Sequence, residues 1–344
     1  MLASVDLAPS KVHQVVGNTP IIPVRLTIAG QPVEVFLKLE GYNPFGSIKD
    51  RTAFSLLDDL ERRGLLRPGG TVVESSSGNL AVALGHLCLD RGYRFIAVVD
   101  RKVTAENLAR LEAVGARVEM VDTPDAAGGY LLSRLERVQA LCAKHPDYCW
   151  TNQYGNPANP LAHFRGTAPE ILHQMNGLVD ALVIPVSTGG MLSGIGRYFR
   201  QNSARTTIIA VDAQGSIALG GEPGARLLSG IGASRKSAFV TTADFHRVIY
   251  VTDAQAFAIC NMLADSTGIR VGGSSGAVIA ACALYLRQHP ERGRIVCLCA
   301  DRGDNYESSI FSDEWLTRHG FTGPVDESCP IESVALGELE LITN

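Results

Sequence analysis

Short unbroken apolar runs alternate along this chain with stretches in which apolar residues recur every three or four positions. "FIAVV" (Phe95 to Val99) and "ALVIPV" (Ala181 to Val186) are runs of the first kind. The spacing of Ala53, Phe54, Leu56, Leu57 and Leu60 in the stretch from Ser47 to Arg63 is of the second kind and predicts a helix with one apolar face. Read in order, the pattern predicts strands at Val33–Leu39, Thr71–Val73, Phe95–Val99 and Val118–Val121. Helices are predicted between and after them at Leu80–Leu89, Ala105–Val114 and Tyr130–Ala143. The alternation resumes after Trp150, with helix Leu161–Met175, strand Leu182–Val186, helix Leu192–Phe199 and strand Ile208–Val211. Strand Val248–Val251, helices Ala254–Ala264 and Gly276–Leu286, and strand Ile295–Cys299 complete it. Continuous apolar strands alternating with helices are the mark of parallel sheets covered on both faces. Two such series predict an α/β fold of two lobes, each a mostly parallel twisted sheet flanked by helices. From about Val325 the periodicity fades, and 326–344 reads as a tail.

Composition changes this picture little. With 344 residues, 46% apolar and 19% charged, the chain is large enough for two cores and wrong for disorder. A net charge of −4 and the absence of basic runs favour neither nucleic acid nor an anionic membrane as partner. The longest apolar stretch, Ala277–Leu286, is too short to span a bilayer, and no signal peptide is expected from "MLASVDLAPSKVHQ". Eight cysteines (88, 142, 149, 260, 282, 297, 299 and 329) form no CxxC pair, so buried thiols in a reducing, cytoplasmic setting are expected.

Chemistry in such folds gathers where strands turn into helices. Three turns here are rich in Ser, Gly and Asn: "SSSGN" (Ser75–Asn79), "STGG" (Ser187–Gly190) and "GGSSG" (Gly272–Gly276). Each leads into a predicted helix, whose N-terminal N–H groups suit an anion. Singly, each is an ordinary cap; three together favour anion binding. None is a Walker A loop or a GxGxxG fingerprint. Lys49, in "NPFGSIKDR" (Asn43–Arg51), stands where a loop becomes a helix. A lone lysine is ordinarily a solvated one. Beside phosphate-type turns, a lysine amine able to form a Schiff base with an aldehyde points to pyridoxal phosphate.

These segments together resemble the fold-type II pyridoxal-phosphate enzymes of the cysteine synthase and cystathionine β-synthase family, with a tryptophan synthase β-subunit-like fold. The resemblance runs from "VGNTPIIPV" (Val16–Val24) to "DRGDNY" (Asp301–Tyr306). It implies Lys49 as the Schiff-base lysine and catalytic base. It implies Ser76, Ser77, Gly78 and Gln153 on the substrate carboxylate and Asn79 on the cofactor's phenolic oxygen. It further implies Ser187, Thr188, Gly189 and Gly190 on the cofactor phosphate, and Ser274 at the pyridine nitrogen. It divides the chain into a smaller mobile lobe, 46–150, and a larger cofactor-binding lobe, 1–45 plus 151–325. No metal is implied, and the partners are small amino acids and a second copy of the chain in a homodimer.

The chain departs from the sulfide-using pattern of the family. Leu80 follows the loop Asn where Thr is usual, Tyr154 follows Gln153 where Phe is usual, and Ser187 opens the phosphate loop where Gly is usual. "GIGASRKS" (Gly230–Ser237) adds Ser234, Arg235 and Lys236 to an otherwise apolar mouth. Sulfide needs no such groups, so a larger anionic second substrate is expected, unless Arg235 and Lys236 are simply solvated. These features resemble the synthases that open 2,3-diaminopropionate biosynthesis for siderophores and antibiotics. Those join O-phospho-L-serine to the amine of L-glutamate, giving N-(2-amino-2-carboxyethyl)-L-glutamate. Arg134, if its helix turns it inward, Arg235 and Tyr154 are then the expected substrate contacts. A cysteine synthase using O-acetylserine or O-phosphoserine, and a catalytically silent amino-acid sensor, are the alternatives.

Overall fold

The computed structural model describes residues 15–124, 129–290, 293–321 and 329–337. Two adjacent strands open it, β1 (Ile21–Ile28) and β2 (Gln31–Leu39), antiparallel with Ile21 opposite Lys38 and Ile28 opposite Gln31. Ala29 and Gly30 join them, both at positive φ (51° and 73°), the two-residue turn that matches strand twist. Then follow α1 (Lys49–Arg62), β3 (Thr71–Ser75), α2 (Asn79–Asp90), β4 (Arg94–Asp100), α3 (Ala105–Ala113), β5 (Arg117–Val121), α4 (Leu131–Lys144) and β6 (Tyr148–Trp150). After α5 (Ala158–Ala162) and α6 (Ala168–Gln174) come β7 (Ala181–Pro185), α7 (Gly190–Asn202), β8 (Thr207–Ala213) and β9 (Arg247–Val251). The described chain closes with α8 (Asp253–Thr267), α9 (Gly273–Gln288), β10 (Ile295–Cys299), α10 (Asp313–Arg318) and β11 (Ser333–Leu336).

The chain divides into two compact units. Of the described residues, 15–18 and 43–159 form the smaller unit, and 19–42 with 160 onward form the larger. The cuts fall at 18/19, 42/43 and 159/160, whereas the expected division kept 1–45 together in the larger lobe and cut at 45/46 and 150/151. The smaller unit holds a four-stranded, all-parallel sheet in the order β5-β4-β3-β6. Its core joins Leu56, Leu57 and Leu60 of α1 to Leu80, Leu84 and Leu87 of α2 and to Val72 and Phe95 of the sheet. The opposite face of the sheet packs on Val138 and Leu141 of α4. The larger unit holds a seven-stranded sheet in the order β11-β1-β2-β10-β7-β8-β9. It is parallel from β2 to β9 and antiparallel at the β11-β1-β2 edge. Its core gathers the buried faces of α8 and α9 with Val183, Val211 and Cys297 of the sheet.

Two expectations are corrected. The single helix expected at Leu161–Met175 is two helices joined by a π-helical stretch, His163–Thr167, in which His163 Nδ1 lies 3.0 Å from Thr167 Oγ1. α7 packs closely against this stretch: a Cβ on Gly194 would lie 2.1 Å from the Pro160 carbonyl oxygen and 3.0 Å from the Phe164 nitrogen. Part of the expected tail 326–344 is structured too. Ser333–Leu336 pairs with β1 (Thr27 opposite Ser333, Val24 opposite Leu336), and Ile331 and Val334 are buried. Among the described residues no helix is long and apolar enough to cross a membrane, and no cluster of residues could hold a metal ion. All eight cysteines carry free thiols.

Candidate active site

The predicted site residues fall on loops at the carboxyl ends of parallel strands or on the helix starts that follow. Within the smaller unit, Asn43 to Asp50 is a knot of local bonds. Gly46 N–H donates to Asn43 O at 2.9 Å, with Gly46 at φ 93°. Asp50 accepts the Phe45 N–H at 2.6 Å, and Ser47 Oγ accepts the Lys49 N–H at 3.2 Å. These bonds fix the first turn of α1, so that Lys49, half-buried, is the first residue of the helix. Behind it the His86 ring stacks on Phe45 at 4.4 Å, and Arg110 Nη2 donates to Phe45 O at 2.9 Å.

The loop after β3 begins α2 at Asn79, with Gly78 at its N-cap in an extended conformation. Ser77 is engaged twice: Asn107 Nδ2 donates to its carbonyl at 3.1 Å, and Arg134 Nη1 donates to its hydroxyl at 3.2 Å. Arg134 is thus turned toward the loop. Asp100, at the end of β4, lies 3.3 Å from the same guanidinium nitrogen. The Arg134 side chain is only 12% exposed, and its Nε is buried without a hydrogen-bond partner among the described residues.

The chain after β6 runs beside this loop. Gln153, buried, donates its side-chain N–H to Ser75 O at 2.8 Å. Glu74, fully buried at the end of β3, accepts from Ser75 N–H (2.6 Å), Thr151 Oγ1 (2.5 Å), Gln153 N–H (3.0 Å) and Trp150 Nε1 (3.4 Å). Burial pushes its carboxyl above the usual range, and these donors pull it partly back. Tyr154, the next residue, is half-buried.

In the larger unit, Ser187–Gly190 turns from β7 into α7. Gly189 caps the helix at φ 87°, and a Cβ there would lie 2.0 Å from Ser237 Oγ. The long β8–β9 connection is stitched to this turn. Ser237 Oγ donates to Thr188 O at 2.7 Å, Gly232 N–H to Val186 O at 2.7 Å, and Ser187 Oγ to Gly232 O at 3.3 Å. That connection carries Arg235, half-buried, and Lys236, exposed. Ser274, 2% exposed, sits in the first turn of α9. A Cβ on Gly230 would be 3.9 Å from both Ser274 Oγ and Tyr306 Oη. Tyr306 donates to the buried Asp301 at 2.6 Å; burial first and then the Asp301 charge push its phenol well above the usual value.

The structure therefore joins Ser77 to Arg134 and Ser75 to Gln153 in one unit, and Ser187 to the Gly230–Ser237 segment near Ser274 in the other. Sequence reasoning missed Glu74, Asp100, Asn107 and Ser237. The one available signal was an acid ending the apolar strand "TVVE".

Residues 12–301 match the family described as pyridoxal-phosphate dependent enzyme. The chain is 44% identical over 303 residues to an N-(2-amino-2-carboxyethyl)-L-glutamate synthase of Ralstonia nicotianae, covering 88% of this chain and 90% of that one. It is 41% identical over 323 residues to a synthase of the same name from Cupriavidus metallidurans, covering 93% and 95%. Among solved structures, that of an O-ureido-L-serine synthase is similar at a TM-score of 0.79 and 30% identity, over 89% of this chain and 98% of the other. With the lysine at a helix start and the glycine-lined turn in place, the chain belongs to the pyridoxal-phosphate dependent enzymes.

Proposed function

We propose that the protein is a β-replacement synthase that joins O-phospho-L-serine to the α-amine of L-glutamate, giving N-(2-amino-2-carboxyethyl)-L-glutamate. The similarity to two synthases of that name supports the product. The observation that carries the choice of donor is Arg134, a largely buried cation turned onto the Ser77 hydroxyl, paired on one side with Asp100 and with its Nε unpartnered among the described residues. A guanidinium so held suits the phosphate of an activated serine better than an uncharged acetyl ester.

The residues fit the cofactor. A Cβ on Gly189 would collide with Ser237 Oγ, so this turn at φ 87° requires glycine, and the start of α7 that follows has the N-terminal N–H groups that suit a phosphate. In this reading Ser187, Thr188, Gly189 and Gly190 would hold that phosphate, Lys49 would hold the group through its amine, and Asn79 and Ser274 would serve the phenolic oxygen and the ring nitrogen. Bound there, pyridoxal phosphate supplies an electron sink that acidifies the α-proton of an attached amino acid. The donor's carboxylate is bound by Ser76, Ser77, Gly78 and Gln153. Lys49, as a free amine, takes the α-proton as general base. Arg134 balances the phosphate as it leaves. Tyr154 and Arg235 serve the acceptor, glutamate, whose two carboxylates need cations and hydroxyls. A homodimer is part of the same reading, and light scattering in solution checks it.

A mass-spectrometric product assay tests the proposal, with each of O-phospho-L-serine and O-acetyl-L-serine offered against L-glutamate and sulfide. A serine–glutamate adduct that depends on phosphoserine is expected. Rapid cysteine formation from acetylserine and sulfide with no adduct would sink it. Lys49→Ala is expected to abolish turnover and the near-visible absorbance of the holoenzyme. Arg134→Ala is expected to raise the phosphoserine KM by about tenfold or more.

A further inference from the structure

Glu74 is an unusual residue to find beneath a loop that is to hold an anion. A buried carboxylate opposes a second one nearby, so its presence calls for a compensating role. Its partners show one. Oε1 accepts from Ser75 N–H and Trp150 Nε1, and Oε2 from Thr151 Oγ1 and Gln153 N–H. Oε1 thus spans the ends of β3 and β6, neighbours in the parallel sheet (Val73 opposite Trp150), while Oε2 holds the chain that follows β6. Gln153 is held at two further points: its side chain donates to Ser75 O at 2.8 Å, and its own carbonyl accepts Asn159 Nδ2 at 2.7 Å. Two separate pieces of chain, the Ser75–Asn79 loop and the Thr151–Gln153 segment, are tied by this carboxylate, beside the direct Gln153 to Ser75 bond and the Thr151 N–H to Val73 O bond.

We infer that Glu74 is a positioning residue. Its carboxylate fixes the spacing between the Ser76–Gly78 loop and Gln153, and so sets the affinity for the amino-acid donor's carboxylate without touching the donor. This rests on the reading that Ser76, Ser77, Gly78 and Gln153 bind that carboxylate. Two main-chain N–H groups, an indole N–H and a hydroxyl converge on Glu74, and two acceptor oxygens serve them all. Glutamine keeps the shape but offers one acceptor and turns an NH2 group toward N–H donors, so the spacing must change. Thr151→Val removes one donor, keeps the volume and touches neither the Ser76–Gly78 loop nor the Gln153 side chain.

The test is calorimetric titration of the holoenzyme with L-alanine, which has the donor's amine and carboxylate but no leaving group. Cofactor content, near-visible absorbance and thermal midpoint are measured beside it. Glu74→Gln is expected to raise the L-alanine Kd about tenfold or more, and Thr151→Val by a smaller factor in the same direction, with cofactor content unchanged. A residue that only supports the fold would lower the thermal midpoint and leave the Kd of the folded protein where it was; that result overturns the inference. Where Glu74→Gln does not fold, Glu74→Asp and Thr151→Val decide by the same measure. Gln153→Ala and Ser77→Ala separate the two levels. If both weaken L-alanine binding while the Glu74 and Thr151 variants do not, the inference falls and the reading stands. If none of the variants weakens it, both fall.

Discussion

His86 shows how one side chain can tie the lysine segment to pH. Its ring lies within 5° of parallel to that of Phe45, two residues before Ser47, and Arg110 reaches the same spot through Phe45 O. Burial first, and the Arg110 charge second, lower the imidazole pKa below the free value of 6.5. The sign follows from linkage. The unfolded chain takes up its proton near 6.5 while the folded protein resists it, so the stability from this group is fully present above 6.5. It is lost as pH falls through the depressed folded value. The difference in thermal midpoint between parent and His86→Leu is therefore expected to shift against the parent on acidification from pH 7. A difference flat with pH would sink the assignment. Lys49 itself was legible in sequence, because Pro44, Gly46 and Ser47 before a helical pattern mark a loop-to-helix junction, and the Phe45–Asp50 and Ser47–Lys49 bonds are local. Glu74 was not legible as a tie. Its partners Thr151 and Gln153 lie 77 and 79 positions away, and only the pairing of β3 with β6 brings them near.

Strands and helices followed their patterns where burial was complete. β7 and β10 are buried at every position and read as unbroken apolar runs, whereas β3, equally buried, runs on past the predicted Thr71–Val73 through Glu74 and Ser75. β1 carries Pro23 and an uneven burial pattern, β6 is three residues long, and in β11 only Val334 is buried. Short or edge strands take their stability from pairing rather than from a face of their own, which is why the sequence pattern passed over them. Tight helix packing was equally invisible in advance. α8 and α9 meet so closely that a Cβ on Gly276 would lie 2.2 Å from Ala256 O and 2.6 Å from Cys260 Sγ. The obstacle includes backbone, so the helices must separate to admit a methyl. Gly276→Ala is expected to destabilise the protein by about 1–3 kcal/mol, read as a lowered denaturation midpoint. It should also shift the near-visible absorbance of the holoenzyme, since α9 carries Ser274 two residues earlier. An unchanged midpoint would show that the two helices have slack.

At the scale of the whole molecule, each unit has its own sheet and its own core. The chain's two tryptophans are divided between them. Trp150, half-buried at the end of β6, belongs to the smaller unit and donates to Glu74. Trp315, on α10, belongs to the larger one and meets Phe257 edge-on at 5.7 Å between ring centroids. Single-tryptophan variants therefore report one unit each. Smaller units bury a smaller fraction of their surface, so the smaller unit is expected to unfold first. In urea, with the cofactor removed so that it does not quench indole emission, Trp315→Phe leaves Trp150 as reporter. Its transition should come at lower denaturant than that of Trp150→Phe, which leaves Trp315. Trp150→Phe forfeits the 3.4 Å bond to Glu74, the longest of the four, and part of the packing on Val73 and Val138, but these losses fall in the smaller unit while the remaining Trp315 reports the larger one. Far-ultraviolet circular dichroism of the parent should then span both midpoints. Coincident transitions by all three probes would mean that the two cores unfold as one cooperative body, and the division into separately stable units would be wrong.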